Sequence, residues 1–403
     1  MTNISQIFDV SNPSQEVIKI LGSQYSNDSG VPVSPDNALN FSALGRAVRA
    51  IANPIATVPK HMFQSEGDKR VKLVDHAAQI LIGRKPNRYT KAVDWFGNAQ
   101  LTVLLWGNFY AKIIRDQNYN PVELIRFPDG IIKPVLSNGD VVYVNRKTSE
   151  VYASDEIFHI KDWSLDGIEG MSRVAQYRQG IGIGMVAEKF QASFFGKGVH
   201  QGGIVTLPAD YDLGDTPEEE EREINKLRKQ ITDTYTGTEN YHKVMLLEPG
   251  MDFKALTMPL KDAEFLMSRK FQVVEIARMF DVTQSKLFDY ERSTHSNIEQ
   301  QSIDFVQEGV MPWAVNWEQE INDKLTRESE KGSVYCKFNL DALIRADIKT
   351  RYEAHSISLG EKGPGWKSPS EVRSVEDLNP IGADELFKPM NFNRQSEGDT
   401  NES

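Results

Sequence analysis

Apolar residues at Leu44, Val48, Ile51 and Ile55 repeat at helical spacing and stop before Pro59, which predicts one amphipathic helix there. A second helix is predicted over about 91–106, ahead of short alternating segments that read as strands. Among these, Val135-Leu136 and residues 141–144 flank Asn138-Gly139, a pair that tolerates positive φ and so marks a tight hairpin. The chain to about residue 165 therefore reads as a mixed α and β unit. A long helix follows over 172–196, roughly 38 Å at 1.5 Å per residue. Each of its glycines at 180, 182 and 184 costs about 1 kcal/mol relative to alanine, so the three predict close approach of another backbone, or a bend.

Residues 200–258 read as a compact insertion. GGIVTL and KVMLLE are its strand candidates, and TPEEEEREINKLRKQI between them opens a helix. Thr216 is placed to cap it, Pro217 suits its first position, Glu219 completes a capping box, and Glu218, Glu220 and Glu221 add negative charge at the positive helix end. Ile224, Leu227 and Ile231 are its predicted buried face. The next helix, near 262–281, is apolar almost all round. Leu266, Val273, Ile276, Ala277 and Phe280 form one stripe, and Met267, Phe271 and Val274 a second beside it. Two apolar faces need two partners: one can be another helix of the same chain, and the other is either a neighbouring copy or, for a central helix of an ordinary core, the same chain again. A Ser/Thr-rich loop then leads into THSNIEQQSIDFVQEGVMPW, with Pro312-Trp313 closing that helical stretch.

Composition narrows the class. At 403 residues, 39% hydrophobic and 26% charged, the chain is long enough for two or three packed units. Residues 1–34, rich in Ser, Asn and Pro, read as a loosely ordered arm, and the polar 391–403 as a disordered tail. Cys336 is the one cysteine, which excludes an intramolecular disulfide and a multi-cysteine zinc site and reads as a quiet thiol in a strand. No signal peptide or membrane span is predicted. With 46 Lys plus Arg against 57 Asp plus Glu the net charge is −11, so the chain is not built to clamp DNA through phosphates. Most acidic chains use such a balance for solubility.

Catalytic signatures are missing. G-x-S-x-G, H-E-x-x-H and the P-loop are absent; Gly196-Lys197 has Gln191 where the P-loop's first glycine belongs. Gly182, Gly184 and Ala187 do fit G-x-G-x-x-A, but a polar helical segment precedes them where a dinucleotide fold needs a strand. The seven histidines show no metal-ligand spacing, and His159 reads as a satisfied structural residue in a strand. Asp162 and Asp166 near Gly167 lack the oxygen density of a calcium loop. The expectation is no enzyme, no cofactor and no metal, with any ATP hydrolysis supplied by a partner.

Residues 285–313, with Asn297, Glu299, Gln300 and Gln301 after the Ser/Thr-rich loop, resemble the portal proteins of lambda-like tailed bacteriophages. So do ALNFSALGRAVRAIANPIATVP near the N-terminus, KPNRYT with Trp95-Phe96 and GNFYAKIIRD, ASDEIFHIKDWSLDGIEGMS, KVMLLEPGMDFKAL and LDALIRADIKTRYEA, all in family order. The family often has Asn-Glu before a C-terminal arginine, where this chain has Ser370-Glu371-Val372-Arg373.

The resemblance implies an α+β portal-type fold: arm 1–34, wing 35–170, stem helix 171–196, clip 197–260, stem helix 261–282, tunnel loop 283–297, tunnel helix and wing return 298–340, and helical crown 341–390. It implies a homo-oligomeric ring, a dodecamer, at the capsid's unique vertex, conducting double-stranded DNA without sequence preference. The implied partners are the large terminase subunit, a head-to-tail connector, and the major capsid and scaffolding proteins. The implied location is the virion, and the host cytoplasm during assembly. Glu291, Arg292, Ser293, Thr294, His295, Ser296 and Asn297 then face DNA in the tunnel loop, and Glu218, Glu219, Glu220 and Glu221 dock partners on the clip. Leu266, Met267, Phe271, Val274 and Phe280 line the subunit interface. Two other classes compete: a nucleotide-binding enzyme using residues 180–187, and an adaptor or scaffold that encloses no DNA.

Overall fold

The computed structural model describes residues 27–67, 69–196, 203–208, 216–235, 251–255, 262–288, 295–343, 348–360, 365–376 and 379. The chain divides into two units, Met1–Phe338 and Asn339–Ser403.

In the first unit Ser34 and Asn37 exchange side-chain to backbone hydrogen bonds and start the short α1 (Pro35–Ala38). Helix α2 (Ser42–Thr57) buries Leu44, Val48, Ile51 and Ile55, the stripe predicted from spacing. The buried Lys60 closes its end, donating from Nζ to the carbonyls of Ala56 and Val58 at 3.0 and 3.1 Å over the Phe96 ring. A cation there complements the negative end of the helix dipole. Strand β1 (Lys60–Glu66) then pairs with β2 (Lys69–Lys72). After α3 (Ala77–Gly83), α4 (Ala92–Trp106) packs on α2 and stops at Gly107, whose φ of +84 suits a residue without a side chain.

Strands β3 (Asn108–Arg115) and β4 (Pro121–Arg126) precede a small meander of β5 (Ile132–Ser137), β6 (Asp140–Asn145) and β7 (Val151–Tyr152). The predicted hairpin turn is in place, with Asn138 at φ 54 and Gly139 at φ 91 and Ser137 opposite Asp140. Strand β8 (Ile157–Lys161) returns beside β3, giving the antiparallel order β4-β3-β8.

The helix expected over 172–196 is two, α5 (Arg173–Gln176) and α6 (Arg178–Gly196), separated at Tyr177 with φ −101 and ψ 18. Its glycines do mark close approach, but of side chains rather than backbone. A Cβ on Gly180 would lie 2.5 Å from Met279 Cε, one on Gly184 2.9 Å from the Phe41 ring, and one on Gly182 would collide with the Asn27 amide. The end of the supposed loose arm is thus docked. Asn27 donates to the Arg178 carbonyl, Asp28 and Gln179 bond twice, and Val33 is fully buried. Residues 1–26 lie outside the described part.

Strand β9 (Gly203–Thr206) pairs with β10 (Asp252–Ala255), and α7 (Pro217–Tyr235) lies between them in sequence. The expected strand over 243–248 lies outside the described residues. Helix α8 (Asp262–Met279) packs against α6 and is followed by a 3-10 turn over Gln284–Leu287. Helix α9 (His295–Asp304) widens to π geometry over Phe305–Val310 and continues as α10 (Met311–Lys324). Pro312 therefore does not close the helix. Its missing N–H leaves one carbonyl without the usual partner, and the wider register accommodates that defect.

Strand β11 (Val334–Phe338) finishes the first sheet beside β1, with Cys336 opposite Met62. Its outer edge is closed by α10, since Cys336 N donates to Asn322 Oδ1 at 2.6 Å and Phe338 N to Glu318 Oε1 at 2.7 Å. Cys336 is the buried strand thiol expected, and burial pushes its pKa up. The core between sheet and helices is aromatic: Trp95, Phe96 and Phe158 meet Trp317, Phe109 packs on Trp95, and the Trp317 indole N–H donates to the buried Gln100 at 2.7 Å.

In the second unit α11 (Ile348–Leu359) and α12 (Pro369–Val375) are joined by Glu376, whose Oε1 lies 3.0 Å from both Arg351 Nε and His355 Nε2. Glu371 exchanges bonds with Ser368 in a capping box. The sequence departure at Ser370-Glu371 thus starts a helix.

Candidate assembly and channel surfaces

Four segments converge where β8, α5, α8 and α10 meet. Arg173 Nε donates to Asp162 Oδ2 at 2.6 Å, and Nη1 donates to Asp281 Oδ2 at 2.8 Å and to the Met279 carbonyl at 3.3 Å. The guanidinium lies 5.7 Å from the Trp313 ring centroid. Burial opposes its charge, but Asp162 and then Asp281 outweigh that and hold its pKa above the ordinary value. Asp281 takes φ 55, and a Cβ on Gly309 would sit 2.8 Å from its carbonyl oxygen. The π segment thus touches the end of α8 at a point where only glycine fits. No local sequence pattern announces this hub. Asp162, which lacks the setting of a cation loop, is the counter-ion of an arginine, and the described residues hold no metal-binding group of three or more His, Cys, Asp or Glu.

A second buried network crosses from β8 to α10. His159 Nε2 lies 3.0 Å from Asn108 Oδ1, His159 Nδ1 lies 3.1 Å from the Tyr143 hydroxyl, and Tyr110 stacks on the ring at 4.4 Å. Asn108 spends its NH₂ on the Gly170 carbonyl, so its Oδ1 accepts from Nε2–H and the neutral ring accepts from Tyr143. Glu320 Oε1 accepts from His159 N at 2.8 Å. His159 is thus the satisfied structural residue the sequence suggested. Burial, with Lys161 and Lys324, lowers its pKa from 6.5 to about 3, and burial raises Glu320 from 4.5 to about 7.

The signs oppose. As pH falls from 6.5 to 3 the unfolded chain protonates its histidine first and stability drops; as pH rises from 4.5 to 7 the folded chain keeps the Glu320 proton longer and stability again drops. Between 4.5 and 6.5 the two offset, and below 4.5 the His159 effect acts alone at about 1.4 kcal/mol per pH unit. His159→Gln is expected to flatten the fall in melting temperature between pH 4.5 and 3. An acid limb parallel to wild type would assign that loss to other groups.

The predicted site residues separate into three sets. Phe271 on α8 is 60% exposed and Val274 half-buried, so this stripe faces away from the chain's own core. Phe280 is fully buried and belongs to that core; its assignment to a subunit interface is corrected, because the end of α8 turns inward with Ile276 and Ala277. The side chains of Leu266 and Met267 lie outside the described residues. Glu218, Glu219, Glu220 and Glu221 are exposed on α7, which Thr216 caps as predicted, Glu219 N donating to Thr216 Oγ1, but the Glu219 carboxylate accepts from the Thr216 hydroxyl rather than from the backbone N–H that a capping box uses. Ile224 and Leu227 are half-buried, and the Ile231 side chain is outside the described part.

Of the expected 283–297 loop, residues 284–287 form the 3-10 turn, with Val282 and Ser285 buried, and His295, Ser296 and Asn297 begin α9. The loop shrinks because both flanks are structured. Glu291, Arg292, Ser293 and Thr294 lie outside the described residues. The glycines weighed for a pyrophosphate sit in mid-helix with side chains packed where a ligand would need access, so the nucleotide reading fails on geometry.

An α+β chain whose mixed sheet-and-helix part is followed by two long helices in contact and a third interrupted by a π segment has the architecture of a portal subunit. The phage portal protein family model matches residues 42–377, and the chain belongs to that family. It is 27% identical to the portal protein of Enterobacteria phage HK97 over 375 residues, 91% of this chain and 85% of that one. It is 29% identical to the probable portal protein of Streptomyces phage phiC31 over 392 residues, 92% and 82% of the two chains. The fold matches a chain in the neck of a native GTA particle computed with C12 symmetry, with TM-score 0.54, 19% identity and coverage of 90% and 99%.

Proposed function

We propose that this chain is the repeating subunit of a dodecameric ring at the unique vertex of a capsid, through whose axis double-stranded DNA is packaged and ejected. Membership of the portal family over residues 42–377 carries the reading. Its wing is residues 35–170 with β11 returning to it, its stem α6 and α8, its clip residues 197–260, and its crown residues 341–390. Ile183 on α6 and Phe271 on α8, each 60% exposed, support a stem that packs against neighbouring copies. The net charge of −11 supports a channel that does not grip phosphates. Among the described residues no helix is long and apolar enough to cross a membrane.

In this reading the ring is structural, and ATP hydrolysis belongs to the large terminase subunit, which docks with the later head-to-tail connector on the clip through Glu218 to Glu221. Capsid and scaffolding proteins surround the ring, first in the host cytoplasm and finally in the virion. Native mass measurement and negative-stain imaging test the ring directly. Phe271→Asp is expected to yield folded monomers, because an unpaired buried carboxylate in the contact costs several kcal/mol per interface. Rings of Phe271→Asp at wild-type concentrations would take Phe271 out of the assembly surface.

A further inference from the structure

An open strand edge invites pairing with another chain, and several edges in the first unit are closed against it. Asn322 and Glu318 on α10 take up the N–H groups of β11. One turn away on the same helix, Glu320 accepts from His159 N at 2.8 Å and Asn316 donates to the Lys161 carbonyl at 2.9 Å, which closes β8. Pro86 and Asn87 cover β4 at Leu124, and β5 carries Pro134, which has no N–H to offer. Strand β2 (Lys69–Lys72) has no such cover among the described residues, and all four of its residues are exposed.

The ladder fixes which groups point outward. Leu73 N donates to the Met62 carbonyl at 2.9 Å, and only alternate residues of an antiparallel pair exchange hydrogen bonds, so Val71 and Lys69 also turn their backbone toward β1. The N–H and C=O of Arg70 and Lys72 therefore face the open side. Their side chains share one face of the sheet, opposite Ser65 and Phe63, with the Arg70 guanidinium 5.4 Å from the Phe63 ring centroid. Lys69 stands opposite Glu66, but among the described residues neither Arg70 nor Lys72 has a carboxylate partner. Burial and then the Lys72 charge hold the His61 pKa below its ordinary value, as expected beside an uncompensated cation.

We infer that, independently of the ring, the β2 edge accepts an acidic extended segment of another protein as a fourth strand of its sheet, with carboxylates at alternate positions meeting Arg70 and Lys72. A second copy of β2 is a poor occupant, because self-pairing would set these cations against one another. An acidic strand gains twice: the outward N–H and C=O groups fix its register, and the two cations select its side chains. Nucleic acid could use the cations but not the outward carbonyls, since a phosphate backbone offers only acceptors to meet them.

The test uses the full chain and a labelled short peptide alternating Glu and Val, with a Lys and Val counterpart as control, followed by fluorescence anisotropy. Binding of the acidic peptide alone is expected. Arg70→Gln combined with Lys72→Gln should weaken it about tenfold while leaving the melting temperature unchanged. Arg70→Pro should weaken it more than Arg70→Gln, because proline also removes an outward N–H that β1 does not use. Undiminished binding by the double glutamine variant would overturn the site, and equal loss in Arg70→Pro and Arg70→Gln would overturn strand pairing. Duplex DNA that binds more tightly than the peptide, and is lost in the same double variant, would hand the edge to nucleic acid instead. Peptide binding that appears only after removal of residues 391–403 would make the chain's own acidic tail the occupant and overturn the partner.

Discussion

Arg173→Met is expected to remove about 3–5 kcal/mol from the stability of the first unit, because it strands the Asp162 carboxylate. Asp162 is 7% exposed and accepts two hydrogen bonds from the arginine, so without it the carboxylate is buried with no counter-ion. Asp281, with a side chain 59% exposed, loses far less. Arg173→Lys should fall between the two, since an ammonium keeps the charge but not the fork that spans Asp162, Asp281 and the Met279 carbonyl. The measurement is urea unfolding at unchanged slope, which separates lost stability from a changed unfolded state. Adding Asp162→Asn to Arg173→Met should recover part of the loss by removing the stranded charge. A single-variant loss under about 1 kcal/mol would mean that water reaches Asp162 and that the hub does not tie α5 and the end of α8 to β8.

The hub also shows where sequence reading reaches its limit. Features decided within a few residues were legible: the Asn138-Gly139 turn needs two positive φ values, the α7 start needs Thr216, Pro217 and Glu219 in order, and the α2 stripe needs only helical spacing. Features decided by distant partners were not. Periodicity gave α8 two apolar stripes but could not say that Phe280 turns into its own core while Phe271 does not. Arg173 and Asp281 stand 108 positions apart, and no local pattern links them. Pro312 signals a helix end by its chemistry alone, and the chain overrides it with a π segment because Gly309 lets that helix lie against Asp281. The break at Tyr177 has neither Pro nor Gly to announce it. The family was legible earlier than the site because the ordered series of segments carries it, whereas the site depends on which faces meet.

Replacing residues 291–294 by four alanines is expected to leave rings intact and to impair DNA packaging or retention, whereas a Gly-Ser stretch of equal length, which keeps hydroxyls, is expected to impair them less. The flanks argue for a bounded substitution. Phe288 ends the 3-10 turn at φ 64 under the Arg46 guanidinium, and Lys286 Nζ reaches Ser302 Oγ on α9 at 3.4 Å, so the two ends of the segment are tied together by neighbouring structure. Changing what lies between them should not disturb the fold. In the proposed channel, Glu291 and Arg292 would nearly cancel in charge, and Ser293 and Thr294 would offer hydroxyls for weak contacts to passing phosphates without an electrostatic grip. One such hydrogen bond contributes about 0.5–1.5 kcal/mol net, and repetition around a ring multiplies it, so retention should fall at least about tenfold. The Gly-Ser replacement keeps two hydroxyls' worth of polarity but removes the Glu291-Arg292 pair, and the variant with Ala at all four positions removes both. Retention lost in the Ala variant alone would assign the effect to hydroxyls, and loss in both to the charged pair. Packaging and retention at wild-type level in both, with rings intact, would place these residues away from the DNA path.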